Sequence, residues 1–216
     1  LPTVYHMPYP YCFRCPYNAK PDVCDLECFK EYDRLFHYMI SPSDVAAVLI
    51  EPVQGEGGYI VPPVKYMKAL KELCDKEGIL LIFDEVQTGF GRTGKMFAAE
   101  HFDIVPDIMS LGKAIASGFP LSAVAASPEL MGDWAPGAHG GTFGANPVSC
   151  AAAVANLQVF REEKVLENCV KVGAYFRRKL EELKAKYPVI GDVRGLGMML
   201  AVEMVDEKGA PNPDAT

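Results

Sequence analysis

Long apolar runs are the first thing this chain lacks. No stretch of its 216 residues approaches the roughly 18 to 20 consecutive apolar positions of a membrane-spanning helix, so a membrane partner is not expected. Positive charge is also in deficit, with 21 lysines and arginines against 28 aspartates and glutamates, a net charge of −7. Such a chain has no basic face to neutralise a phosphate backbone, and nucleic acid is not an expected partner. The opening residues contain no basic region followed by an apolar one, which argues against a secretory signal and for a cytoplasmic protein. An even set of cysteines is missing too. There are seven, and Cys74, Cys150 and Cys169 fall inside helical patterns as small buried hydrophobes, so a reducing compartment fits better than a disulfide scaffold. What the chain does have is 50% hydrophobic and 23% charged residues. That is the composition of a globular protein with a real core, not of a fibrous, coiled-coil or disordered one.

The first 28 residues are rich in Pro, Tyr and Cys, show no periodicity and read as loop. Residues 29–40 predict a helix stopped by Ser41-Pro42. From there short apolar runs alternate with amphipathic stretches, the pattern of an α/β fold. Strands are expected over residues 45–50, 79–83, 108–111 and 120–126, the first two apolar on both faces, as strands covered by helices on either side must be. Pro62-Pro63 opens a helix whose Val64, Met67, Leu70 and Cys74 share a face, and Gly78 is placed to end it in a left-handed cap. Asn146-Pro147 reads as an N-cap and first helical residue, starting a helix to about residue 160. A second helix follows, with Val165, Cys169, Val172, Phe176, Leu180 and Leu183 on one face. Strand-like residues 189–190 and 198–205 close the chain and suggest a second, smaller domain that is only begun.

In open α/β sheets ligands sit beyond the C-terminal ends of the strands. Three strand ends here deliver an ionisable residue to that edge: Glu51, Asp84 and Lys113. Lys113 lies among small neighbours that let a ligand approach, and desolvation there would favour a neutral, nucleophilic amine able to form a Schiff base. The alternative is a lysine that ends a strand and points to water. Asp84 either caps the following turn or acts as an anion holding a cationic ring nitrogen, and the pairing of both residues on neighbouring strand ends favours the chemical reading. The glycine-rich stretch from His139 to Pro147 joins a hydroxyl to a helix start, a combination that either accepts a phosphate or forms a plain turn.

Four segments carry a more specific signal. Glu51-Pro-Val-Gln-Gly-Glu-Gly-Gly58, Asp84-Glu-Val-Gln-Thr-Gly-Phe-Gly-Arg-Thr-Gly94, Ser110-Leu-Gly-Lys-Ala-Ile-Ala-Ser-Gly-Phe-Pro-Leu121 and Gly140-Gly-Thr-Phe-Gly-Ala-Asn-Pro147 occur in this order. Together they resemble the class III (ω-amino acid) pyridoxal-phosphate aminotransferases, 4-aminobutyrate aminotransferase-like members in particular. The 29 residues between Asp84 and Lys113 match as well. The resemblance implies an α/β fold, namely the three-layer large domain of the PLP-dependent transferase fold type I, over residues 1–160 with its N-terminal part missing. Residues 161–216 would be the truncated start of a small α+β C-terminal domain.

The same resemblance implies pyridoxal 5'-phosphate (PLP) as cofactor. Lys113 would be the Schiff-base lysine and then the proton-transferring base, and Asp84 would hold the pyridine nitrogen protonated. Val86 would pack on the ring, and Gln87 would hydrogen-bond the phenolic oxygen. Thr142 would bind the cofactor phosphate of a neighbouring subunit, implying a homodimer with shared sites. Glu56 resembles a switch glutamate that pairs with an arginine outside this chain, and Glu51 may be read only as a support of the site. The reaction implied is transfer of an amino group from an ω-amino acid or amine to a 2-oxo acid. Rivals are an amino-acid racemase of the same family, a phosphate-binding α/β enzyme without PLP, and a non-catalytic fragment, since the chain begins at Leu1, stops in a loop-like tail and covers about half of the family's length. Cys12, Cys15, Cys24 and Cys28 lie within 17 residues. They are read as reduced loop cysteines, with a structural zinc site as the alternative and no metal at the active site.

Overall fold

The computed structural model describes residues 3–132 and 134–215. Its main sheet has four short strands in the order β1 (Ala47–Ile50), β2 (Leu80–Asp84), β3 (Ile108–Leu111) and β4 (Ala123–Ala126). The first three run parallel and β4 returns antiparallel, so the sheet is mixed at one edge. After the Cys12–Arg14 turn and further loops, α1 (Lys30–Tyr38) begins one residue later and ends two earlier than expected.

The core forms where α2 (Val64–Glu77) crosses back over β1 and β2. On α2, Tyr66, Met67, Leu70 and Cys74 are buried, and from β2 Leu81 and Phe83 point into the same layer with no exposed surface. Each fully buried Leu or Phe side chain contributes about 1.5–3 kcal/mol, which makes this layer the principal stabilising element. The expected cap is in place: Gly78 adopts φ 69° and its N–H reaches the Cys74 carbonyl. Two expectations about burial are not met. Val64 is 48% exposed, and Leu49 of β1 is 66% exposed, because no described element covers that face of the edge strand.

Asn146 caps α4 (Pro147–Glu162), its side chain accepting the Ser149 N–H at 2.9 Å. This helix packs on the single turn Lys113–Ala116 that follows β3, burying only Ser149 and Ala153, and Cys150 is half-buried, not buried. Asn156 of α4 donates through its Nδ2 to the carbonyls of Ala114 at 2.8 Å and Ile115 at 3.2 Å. A short helix α3 (Pro128–Gly132) lies between β4 and α4.

Helix α5 (Val165–Lys186) rests on a separate hairpin of β5 (Ile190–Leu196) and β6 (Met199–Met204). The apolar stripe read along α5 is buried only in part: Cys169 is buried beside Gly173, Val165 and Leu180 are half-buried, and Val172, Phe176 and Leu183 are exposed. The reason is a backbone approach. A Cβ on Gly173 would stand 2.3 Å from the Gly197 carbonyl oxygen, so the helix meets the hairpin turn through its smallest residue. Gly197 holds φ 55° in the two-residue turn after Leu196, a left-handed conformation suited to a tight hairpin.

Candidate active site

Parallel pairing puts the C-terminal ends of β2 and β3 side by side, with Asp84 opposite Ser110. The Asp84 carboxylate is half-buried, and its Oδ1 accepts two hydrogen bonds of 3.0 Å, from the Val86 N–H and from the Ser110 hydroxyl. Two donors on one oxygen fix the group's orientation. Oδ2 has no partner among the described residues and stays available to a cation.

Beyond the strand end the chain turns, and Glu85 serves the scaffold instead. It is wholly buried and accepts from the Ala98 N–H at 3.0 Å, the Ala99 N–H at 2.8 Å and the Thr88 hydroxyl. Burial pushes its pKa above the ordinary glutamate value, opposed by those three donors. The carboxylate thus clasps the Ala98–His101 turn to the end of β2.

Val86 reaches across to the next strand end. A Cβ at Gly112 would lie 3.3 Å from Val86 Cγ1, so the glycine leaves the space that the valine fills, one residue before Lys113. Lys113 adopts φ 45°, a left-handed conformation rare for a residue with a side chain and concentrated at functional sites. Its amine has no hydrogen-bond or ion-pair partner among the described residues. The enclosure expected from its small neighbours is absent, since Lys113 is exposed.

Gln87 turns toward the loop after β1. Its Nε2 donates to the Tyr59 hydroxyl at 3.3 Å, and its Oε1 would lie 2.0 Å from a Cβ on Gly55, so a side chain there would displace Gln87 from its present position. Glu51 organises the same loop by accepting the Gly55 N–H at 2.7 Å.

Asp84, Val86 and Gln87 are therefore gathered on one edge with the backbone of Lys113. Glu56 is exposed between Gly55 and Gly57 without a partner among the described residues. Thr142 is exposed in the glycine-rich loop before α4, and no hydrogen bond joins it to the others. Sequence reasoning missed Ser110, Glu85 and Tyr59. Ser110 lies inside a recognised motif, but its role depends on strand register.

The four N-terminal cysteines are half-buried free thiols. Among the described residues no three His, Cys, Asp or Glu side chains gather in a way that could hold a metal. Burial first, and neighbouring thiols second, push the Cys12 thiol up, and burial likewise raises Cys28. The zinc alternative therefore has no such cluster among the described residues to rest on.

The family model described as aminotransferase class-III matches residues 1–213. The chain belongs to the class III aminotransferases. It is 51% identical to the 5-aminovalerate aminotransferase DavT of Pseudomonas putida over 85% of this chain and 43% of that one. It is 42% identical to the 4-aminobutyrate aminotransferase GabT of Escherichia coli over 98% and 48%. A leucine/methionine racemase of Thermococcus litoralis is 41% identical over 96% and 47%. Among solved structures, an (S)-enantioselective ω-transaminase from Thermomicrobium roseum superposes with a TM-score of 0.89 at 36% identity, covering 98% of this chain and 48% of that one. An amine transaminase from an uncultivated Pseudomonas species, solved in its PLP-bound form, has a TM-score of 0.84 at 34% identity and covers 96% and 49%. The chain spans about half the length of the curated relatives it matches. These transaminase structures establish the α/β architecture, a PLP-dependent transferase fold with a parallel-rich sheet.

Proposed function

We propose that this chain carries the lysine-bearing half of a PLP-dependent aminotransferase that moves an amino group from an ω-amino acid or amine to a 2-oxo acid. The observation that carries the reading is the juxtaposition at two adjacent strand ends: an Asp84 carboxylate oriented by two donors, Val86 filling the space left by Gly112, and the unpartnered amine of Lys113 on a left-handed backbone.

These residues fit the cofactor. Asp84 offers its free oxygen to a protonated ring nitrogen, Val86 supplies an apolar wall for a planar ring, and Gln87 retains a second amide proton for an oxygen on that ring. The primary amine of Lys113 provides the covalent tether. When bound, PLP supplies an electron sink that stabilises negative charge on the substrate carbon next to the nitrogen. With the group in place, the Lys113 amine would be the base that takes a proton from that carbon and returns one. Asp84 would hold the ring nitrogen through its free oxygen. Glu56, exposed and unpaired, is free to meet an arginine contributed from outside this chain and so to discriminate a distal carboxylate.

Thr142 sits in a loop in which Cβ atoms on Gly140 and Gly141 would meet nothing within 4 Å. Such an outward loop supports the reading that Thr142 serves the phosphate site of a neighbouring subunit in a homodimer. The division into a large domain over residues 1–160 and a small one from 161 belongs to the same reading, as does a cytoplasmic location. No helix among the described residues is long and apolar enough to cross a membrane.

Reduction with borohydride after incubation of the full-length protein with PLP tests this directly. A pyridoxyl label is expected on the Lys113 peptide and is lost in Lys113→Ala. Scattered labelling would overturn the assignment. The racemase relative favours one second reading, in which the proton returns to the opposite face of the carbon. A racemase consumes no 2-oxo acid, so product analysis separates the two.

A further inference from the structure

The turn that carries Lys113 is held by a side chain from another element. Residues Lys113–Ala116 form a single helical turn between β3 and β4, entered through Lys113 at φ 45° and left through Ser117 at φ 46°. Two left-handed residues with side chains flank it, and such backbone persists only where its surroundings over-determine it. Within the turn the Ile115 N–H reaches the Gly112 carbonyl at 3.0 Å, and the Phe119 N–H reaches the Ala116 carbonyl at 3.1 Å. Neither bond engages the carbonyls of Ala114 and Ile115. Those two face α4, where Asn156 meets both with one amide group, at 2.8 and 3.2 Å. The Ser117 hydroxyl in turn donates to Asn156 Oδ1 at 2.8 Å, which fixes which end of the amide faces the turn. One side chain therefore ties together three positions of the turn, 114, 115 and 117.

We propose that Asn156 is a positioning residue for Lys113: its carboxamide fork, oriented by Ser117, locks the turn so that the lysine leaves the strand end in its left-handed conformation. Asn156 touches neither substrate nor cofactor in this account and acts through the backbone alone. The proposal rests on the reading of Lys113 as the PLP lysine. Its separate content is that the lysine's placement depends on a residue of α4, far along the chain from every motif at the strand ends.

The test uses the full-length protein and two variants. Asn156→Ala removes both donors while leaving a better helix former in α4, so the helix itself is not weakened. Ser117→Ala is the milder change, leaving Asn156 in place without its orienting donor. In the cofactor-free protein, hydrogen exchange over residues 112–118 is expected to speed up about tenfold in Asn156→Ala, with a smaller increase in Ser117→Ala, as befits the loss of three hydrogen bonds against one. In the PLP-loaded protein, the midpoint of the pH titration of the cofactor's absorbance should move, while exchange in β1 and β2 stays at the wild-type rate.

Unchanged exchange over 112–118 together with an unchanged titration midpoint overturns the proposal. So does a uniform acceleration of exchange across the sheet, which marks a merely structural role. If Asn156→Ala does not fold, Ser117→Ala decides by the same two readouts. Failure of the underlying reading looks different: borohydride labelling would miss Lys113 in the wild type, whatever the exchange at the turn.

Discussion

Replacing Glu85 by glutamine tests the clasp behind the site and the sign of its titration. The carboxylate, with no exposed surface, faces three donors: two backbone N–H groups at 3.0 and 2.8 Å and the Thr88 hydroxyl. A carboxamide keeps one acceptor oxygen and turns its NH2 toward one of those N–H groups, leaving a buried donor without an acceptor at a cost of about 1–3 kcal/mol. The linkage runs the other way with pH. Burial raises the folded-state pKa of Glu85 above its unfolded value, so its contribution is complete below the ordinary glutamate pKa and declines as pH rises through the raised value. Glutamine does not titrate. The stability gap between the wild type and Glu85→Gln should therefore be widest at the acid end and should narrow as pH rises through the raised value. Urea unfolding followed by circular dichroism at four pH values from 5 to 8 measures it. A gap that widens with pH would refute the reasoning, because the three donors would then outweigh burial, and no gap at any pH would mean that the clasp contributes nothing.

Two further outcomes follow from packing. Gly173→Ala gains about 1 kcal/mol of helix propensity but drives a methyl group against backbone atoms of Gly197, which cannot swing aside. Overpacking of this kind costs about 1–3 kcal/mol, so a net loss of stability is expected in urea unfolding, and a gain would show that α5 slides freely on the hairpin. Cys74 is fully buried, and burial, followed by the nearby Asp107 and Asp75, pushes its thiol up to about 11. At pH 8 a thiol reagent should modify Cys12, Cys15, Cys24 and Cys28 well before Cys74. Equal rates would mean that α2 opens readily.

Helices and parallel strands were legible because their signals are local. Hydrophobic spacing placed α2, Gly78 marked its end, and Asn146-Pro147 marked the start of α4, since caps depend on a few adjacent residues. The hairpin was read poorly. Of β5 only Ile190 fell within the expected run at residues 189–190, because Gly191, Asp192, Arg194 and Gly195 interrupt its apolar pattern, and pairing with β6 compensates for what the strand lacks by itself. The stripe on α5 held only in part for a related reason. Periodicity states which residues share a face but not which face finds a partner, and here a glycine contact between backbones decided it.

At the site the division is the same. Strand-end position marked Asp84 and Lys113, and the resemblance of four motifs to a known family named Val86, Gln87, Glu56 and Thr142 as further candidates, because the order of motifs is a property of the chain. That Ser110 aims Asp84, that Gly112 makes room for Val86, that Tyr59 receives Gln87 and that Asn156 holds the turn of Lys113 came from the tertiary structure only. Each of these depends on strand register or helix packing between residues up to 42 positions apart, and a distance through space has no trace in local sequence.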